Sequence, residues 1–343
     1  MAAGFPGCGE FLDSGKSGTL RNVETKRIME QNMAARRCDF LLLGLMLALV
    51  GAPGFGQTAP EDGRGKGALQ SAASIPNFSG NWAHPFLTGF EPPASGPGPV
   101  RNTSRRPDGV ANFQQLVGDY KNPILKPHAA EIVKKHGEIS LAGVGYPTPS
   151  NQCWPGGVPY VFWDFLLGMF QAPDHVTMIY RHGNEVRHVR MNEPHPAKVT
   201  PSWYGDSVGH YEGDTLVIDT VGMKAGPFAM LDMYGTPFPD KLHVVERYRL
   251  LDYEQARDAI ERNRKENFQA GGNGGEFDPN YRGKVLQLHF TVEDESVFTT
   301  PWTSTITYRP AVGPWIELIC AENRREYYAK KDSEIPQADK PDF

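Results

Sequence analysis

W-Y-G-D-S-V-G-H-Y-E-G-D-T-L-V-I-D-T, residues 203–220, is the stretch whose reading decides the fold. Its Gly213-Asp214 pair is a two-residue hairpin signal between two runs that can each extend. A tight register sets Glu212 opposite Thr215, Tyr211 opposite Leu216, His210 opposite Val217 and Val208 opposite Asp219. Side chains alternate along a strand, so Gly209, Tyr211, Leu216 and Ile218 share one face. Val208, His210, Glu212, Val217 and Asp219 share the other, with His210 and Asp219 diagonal neighbours close enough for their side chains to meet. One face is apolar and aromatic and the other carries ionisable groups, which suits a sheet with two differently used sides.

Strand signals spread outward from this hairpin. Val158–Phe170 is strongly apolar, and Val176–Arg181 and Glu185–Met191 flank the turn His182-Gly183-Asn184. Leu242–Leu250 alternates, placing His243, Val245, Arg247 and Arg249 opposite Val244, Glu246, Tyr248 and Leu250. Lys284–Glu293, Trp302–Arg309 and Trp315–Ala321 follow, and Ile75–Ala83 adds a short early strand. Helical signals are few. Pro127–His136 has proline near its start and Gly137 in the stop position, Glu254–Phe268 is a charged insertion, and Glu322–Lys330 is a closing helix. Roughly nine strands joined mostly by short links predict a mainly β protein built as one antiparallel up-and-down barrel like that of lipocalins, with a β-sandwich as the alternative. The barrel domain spans 158–323 with an insertion at 254–275, an irregular arm at 75–157 wraps it, and 324–343 is a tail.

The composition agrees with a turn-rich β protein: 37 Gly, 29 Pro, 13 Tyr, 18 Phe and 6 Trp in 343 residues. A net charge of −5 and no basic stripe interleaved with aromatics argue against nucleic acid as a partner. Arg36-Arg37 before the apolar run Phe40–Val50, then G-A-P-G-F-G, is the order of an export signal, with cleavage after Gly56. The run is short for a bilayer span, so no stable membrane insertion follows cleavage. Residues 1–32 are an extension ahead of the true start, 33–56 the signal and 57–74 a flexible linker. The mature protein is then periplasmic or secreted.

Three stretches carry a resemblance. P-S-W-Y-G-D-S-V-G-H-Y-E-G-D-T-L-V-I-D-T (201–220), L-H-V-V-E-R-Y-R (242–249) and E-L-I-C-A-E-N (317–323) resemble a widespread group of exported bacterial proteins. That group carries P-S-W-x-G-x-S-V-G-x-W-E-G-D-T-L-V-V-D-T, L-H-V-x-E-R and C-x-E-N; C-W-P-G-G-V-P at Cys153 is similar to its C-x-P-x-G-x-P. Tyr211 stands where the group has Trp, Phe238-Pro239-Asp240 where P-H-S is common, and 254–275 is inserted. The resemblance implies a fold and an export route and names no reaction; the change at Phe238 removes a histidine from the site region.

Cys153 and Cys320 are the cysteines left after signal removal, and in an oxidising setting the pair reads first as a disulfide. A nucleophilic cysteine and two inert thiols are the alternatives. His182, His188, His195, His210 and His243 fall in one stretch, yet no short ligand spacing such as H-E-x-x-H is present, so no cofactor is predicted and a metal site is only the lesser alternative. Asp206, His243, Glu246 and His195 are the candidates for proton transfer, since an imidazole oriented by a carboxylate is the common general base. His243 and Glu246 point to opposite faces of a regular strand, so they do not act together without a bulge; the alternative is that Glu246 and Arg247 pair with adjoining strands and His243 is structural. Trp203, Tyr204, His188, His210, Tyr211, Asp219, Arg247 and Trp302 are the candidate ligand-binding residues, Trp203 foremost at the P-S-W turn. No phosphate-cradling loop or nucleophile elbow appears. Three functions stand: binding of a small apolar or aromatic molecule; hydrolase, isomerase or lyase chemistry by His and carboxylate; and an envelope structural or assembly role.

Overall fold

The computed structural model describes residues 75–266, 277–315 and 318–320. The signal, the extension, the linker, the glycine run at 271–275, the expected helix at 322–330 and the tail lie outside the described residues. Nine strands form a closed barrel in chain order: β1 Gly80–Ala83, β2 Leu166–Gln171, β3 His175–Tyr180, β4 Glu185–Met191, β5 Asp206–Glu212, β6 Thr215–Val221, β7 His243–Leu251, β8 Val285–Glu293 and β9 Trp302–Pro310. Among the described residues two α-helices accompany them, α1 Pro127–Leu141 and α2 Tyr253–Glu266. Closure leaves no free sheet edge, and it sets the sandwich aside.

The central hairpin has the register the sequence dictates, with Glu212 opposite Thr215 and Val208 opposite Asp219. Gly213 turns it at φ +61°, a backbone that glycine adopts without a Cβ clash. Leu216 and Ile218 point inward and are fully buried, so a one-residue slip would send both to solvent. Strand β7 sends Val244, Glu246 and Tyr248 inward, each fully buried.

The barrel is not wholly antiparallel. Strands β4 and β5 pair in parallel, through Arg190–Val208 and Met191–Gly209. Parallel neighbours need a connection that returns to the starting end. The segment between them, rich in proline (Pro194, Pro196, Pro201), makes that return outside the ring.

Three further expectations are corrected. Residues 158–165 form no strand; Tyr160–Trp163 is a single 3-10 turn, and β2 begins only at Leu166. Helix α1 runs past Gly137, because that glycine sits against Val117, where a Cβ would lie 3.1 Å from a methyl. The stop is Gly143, at φ +73°. The described residues of the expected strand 315–321 are not in a strand.

Side chains fill the barrel. Arg187 of β4 reaches across the interior to Glu246 of β7 with two hydrogen bonds of 2.6 and 2.9 Å, and its Nε and Nη2 donate to Ser207 and Thr220. The Tyr248 hydroxyl donates to the same carboxylate at 2.9 Å. Both charges are within 1% of complete burial. Tyr180, Tyr308, Met169, Met178, Leu288 and Trp302 occupy the rest. The arm and the turn before β2 pack into the same core: Phe90 of the arm and Phe162 of the turn meet the inward-facing Phe290 at 5.1 and 5.2 Å between ring centres. Cys153 and Cys320 form a disulfide. No helix among the described residues is long and apolar enough to cross a membrane.

Candidate acid–base site on the outer face

Alternation that turns Ser207, Ile218 and Val244 inward turns their neighbours out. Asp206, Asp219, His243 and Glu293 therefore sit on the outer face at the same end of the consecutive strands β5, β6, β7 and β8. The return segment lays His195 against them. One ring nitrogen of His195 (Nδ1) lies 2.6 Å from Asp206 Oδ2, and the other (Nε2) lies 3.1 Å from Asp219 Oδ1. His243 Nε2 meets the same Asp219 oxygen at 3.0 Å, and its Nδ1 is 3.5 Å from Glu293. Arg190 Nη2 donates to Asp206 at 3.0 Å.

The result is one line of contacts, Asp206–His195–Asp219–His243–Glu293, with side chains between 21% and 48% exposed. Hydrogen bonding to Asp219 raises the His243 pKa above the usual imidazole value, against partial desolvation. Asp219 is lowered in turn, first by the bond from His243. The two shifts agree: each group favours the charged form of the other. His243 also lines a cleft of about 340 Å³ with Lys241, Glu293, Asp294, Glu295 and Phe298. Asp294 is buried there; Oδ1 accepts from Ser296 N–H, while Oδ2 has no hydrogen-bond partner among the described residues.

The sequence thus named three residues that meet, Asp206, His195 and His243, and a fourth, Asp219, that joins them. The other candidates lie elsewhere. His210 does not reach Asp219; it turns along its own strand to Glu212 at 3.0 Å. Arg247 pairs with Glu212 on the outer face, and His188, also outside, faces Thr177 at 3.3 Å. Trp302 is 2% exposed and is core, wedged between Phe90, Phe290 and Phe298. Tyr211 accepts a hydrogen bond from Gln171 at 2.8 Å.

Trp203 and Tyr204 belong to a second polar spot. Trp203 meets Trp154 edge to face at 4.9 Å, with Lys224 over its ring. Tyr204 hydrogen-bonds Glu185, whose carboxylate also accepts the Gly156 N–H at 3.0 Å. Burial pushes Glu185 up to about 7, ahead of the opposing hydrogen bonds. The space beside it, about 20 Å³, holds no more than a water. Sequence reading passed over Glu185 and Arg187. Both faces of E-V-R-H-V-R carry charge, so alternation there marks no inside.

No protein-family model, curated protein or solved structure matches this chain. Its function therefore has to be read from its own residues. Among the described residues no group of three or more His, Cys, Asp or Glu is placed to hold a metal ion.

Proposed function

We propose that this protein is an exported β-barrel enzyme that uses the outer-face array for acid–base catalysis on a small polar substrate. The observation that carries the reading is the unbroken line Asp206–His195–Asp219–His243–Glu293, ending where His243 borders an open cleft. Asp219 and Glu293 fix the imidazole ring of His243 and favour its protonated form, so it enters the cycle as a general acid. His195 holds Asp219 from the other side and connects it to Asp206. The reaction class is that of a hydrolase, isomerase or lyase, in which a proton is delivered to a leaving or rearranging group.

An occupied barrel axis argues against carriage of an apolar molecule within the lumen. It gives some support to a second reading, an envelope structural role, which needs no turnover. Export rests on Arg36-Arg37 and the apolar run behind them, and the Cys153–Cys320 bond supports an oxidising compartment. The amino terminus of the mature protein, expected at Gln57, checks it.

Native mass spectrometry of protein from its own host should detect a retained small molecule, which then serves as the substrate for turnover assays. His243→Gln should lower kcat by roughly 100-fold or more, and Asp219→Asn should shift the pH profile toward acid. Activity should fall as pH rises past the elevated His243 pKa, because the acid is then spent. Wild-type rates in both variants would leave the structural reading standing.

A further inference from the structure

A second cleft, of about 190 Å³, lies between the arm and α2 and shares no residue with the acid–base array. Its inner wall is apolar: Leu87, Phe90, Val100 and Ala111 are all at least 92% buried. Three guanidinium side chains line it, Arg101 and Arg105 from the arm and Arg262 from α2. One carboxylate, Glu91, stands among them. The lining thus holds three positive charges and one negative in a chain whose net charge is −5, so this spot draws anions out of an acidic background.

The frame of the cleft is held by hydrogen bonds. Glu91 is tied to β9 by its backbone, its carbonyl accepting from Thr305 N and Ser304 Oγ. Asn102, 4% exposed, accepts from the Ser104 and Val117 amides and donates to the Asn112 carbonyl. The Tyr234 hydroxyl is bound to the Thr88 carbonyl. These groups are satisfied within the protein. Glu91 is not: Arg262 takes Oε1, while Oε2 is buried with no hydrogen-bond partner among the described residues, on a side chain only 9% exposed. A buried carboxylate oxygen left bare costs free energy unless something supplies a donor.

We propose that this cleft binds a small organic acid. Its carboxylate sits between Arg101 and Arg105, its apolar or aromatic body against Leu87 and Phe90, and a hydroxyl on that body donates to Glu91 Oε2. An inorganic anion has no use for the apolar wall. A phosphate polymer would meet Glu91 with like charge, and a simple amine would meet the arginine excess. A hydroxylated aromatic acid satisfies all three surfaces at once, by charge-assisted hydrogen bonds at one end and apolar burial along the middle.

Isothermal titration of the full chain with 4-hydroxybenzoate, benzoate and benzylamine tests this. The expected order of affinity is 4-hydroxybenzoate, then benzoate, with benzylamine showing no saturable heat. R101A/R105A changes exposed residues only and should weaken both acids by about tenfold or more. Glu91→Gln should narrow the gap between 4-hydroxybenzoate and benzoate while benzoate still binds. Circular dichroism confirms that each variant is folded; if Glu91→Gln is not, the arginine variant and the order of the three probes decide alone. Benzylamine binding as well as the acids, neither acid binding below about 10 mM, or an arginine variant that binds like wild type would each overturn the proposal.

Discussion

Arg187 and Glu246 place full charges inside the barrel, wholly removed from water. A bidentate guanidinium–carboxylate contact, with Ser207, Thr220 and Tyr248 taking the remaining bonds, leaves neither charge uncompensated. Deleting one partner strands the other. Glu246→Gln is expected to cost about 3–5 kcal/mol, and R187M/E246L, which removes both charges, should recover most of that. Urea denaturation followed by tryptophan fluorescence measures both; a double variant no better than the single would show that packing, not charge, holds the interior. Half of this pair was legible. Alternation in L-H-V-V-E-R-Y-R put Glu246 on the face opposite His243, where the structure has it. Its partner was not, because Arg187 comes from a strand three places away across the lumen, and no local pattern records such a distance. The acid–base site divides in the same way: Asp206, His195, Asp219 and His243 were singled out by residue type. Glu293 was not, since it is one of many charged strand ends.

At the level of elements, the hairpin around Gly213 was readable to the residue because period-two alternation and turn chemistry both specify it. The route from β4 to β5 was misread for a physical reason. A hairpin link needs two to five residues, whereas Asn192–Gly205 has the dozen or more that a return crossing takes. The length and prolines of that link are the signal, and they also explain how His195 reaches a site built on four strands. A second long-range tie is the disulfide, which joins residues 167 apart. Holding that separation closed in the unfolded chain should contribute about 5 kcal/mol by chain entropy. Comparing the urea midpoints of the oxidised protein and of C153S/C320S tests it. Equal midpoints would mean that the unfolded chain is already compact enough for the link to be redundant.

Taken as a whole, the molecule is a barrel whose arm belongs to its core and is no mere wrapping. Phe78, Phe90, Phe113 and Val133 join the same buried cluster as Phe290, Trp302 and Tyr308. Whatever loosens the arm therefore loosens the barrel, and acid is the expected agent. His136 of α1 is 1% exposed, lies against Tyr146 and closely faces Gly235, and burial pushes its pKa down to about 4. Its folded pKa is below the unfolded value of about 6.5, so the unfolded chain takes up a proton first. The stability it contributes is present above pH 6.5 and is lost as pH falls toward 4, to a total of about 3 kcal/mol. Two buried carboxyls act in the opposite sense. Glu185, raised to about 7, and Asp232, raised to about 6, contribute stability at low pH that is lost as pH rises through those values. The wild-type curve sums all three, so a lone pH scan identifies none of them; the difference between wild type and a non-titrating variant isolates one. His136→Phe keeps a buried ring and removes the proton. Between pH 6.5 and 4 its unfolding free energy should fall less than that of wild type, by up to about 3 kcal/mol, while the two change in parallel above pH 7. Parallel curves throughout would place the acid weakness of this fold outside α1.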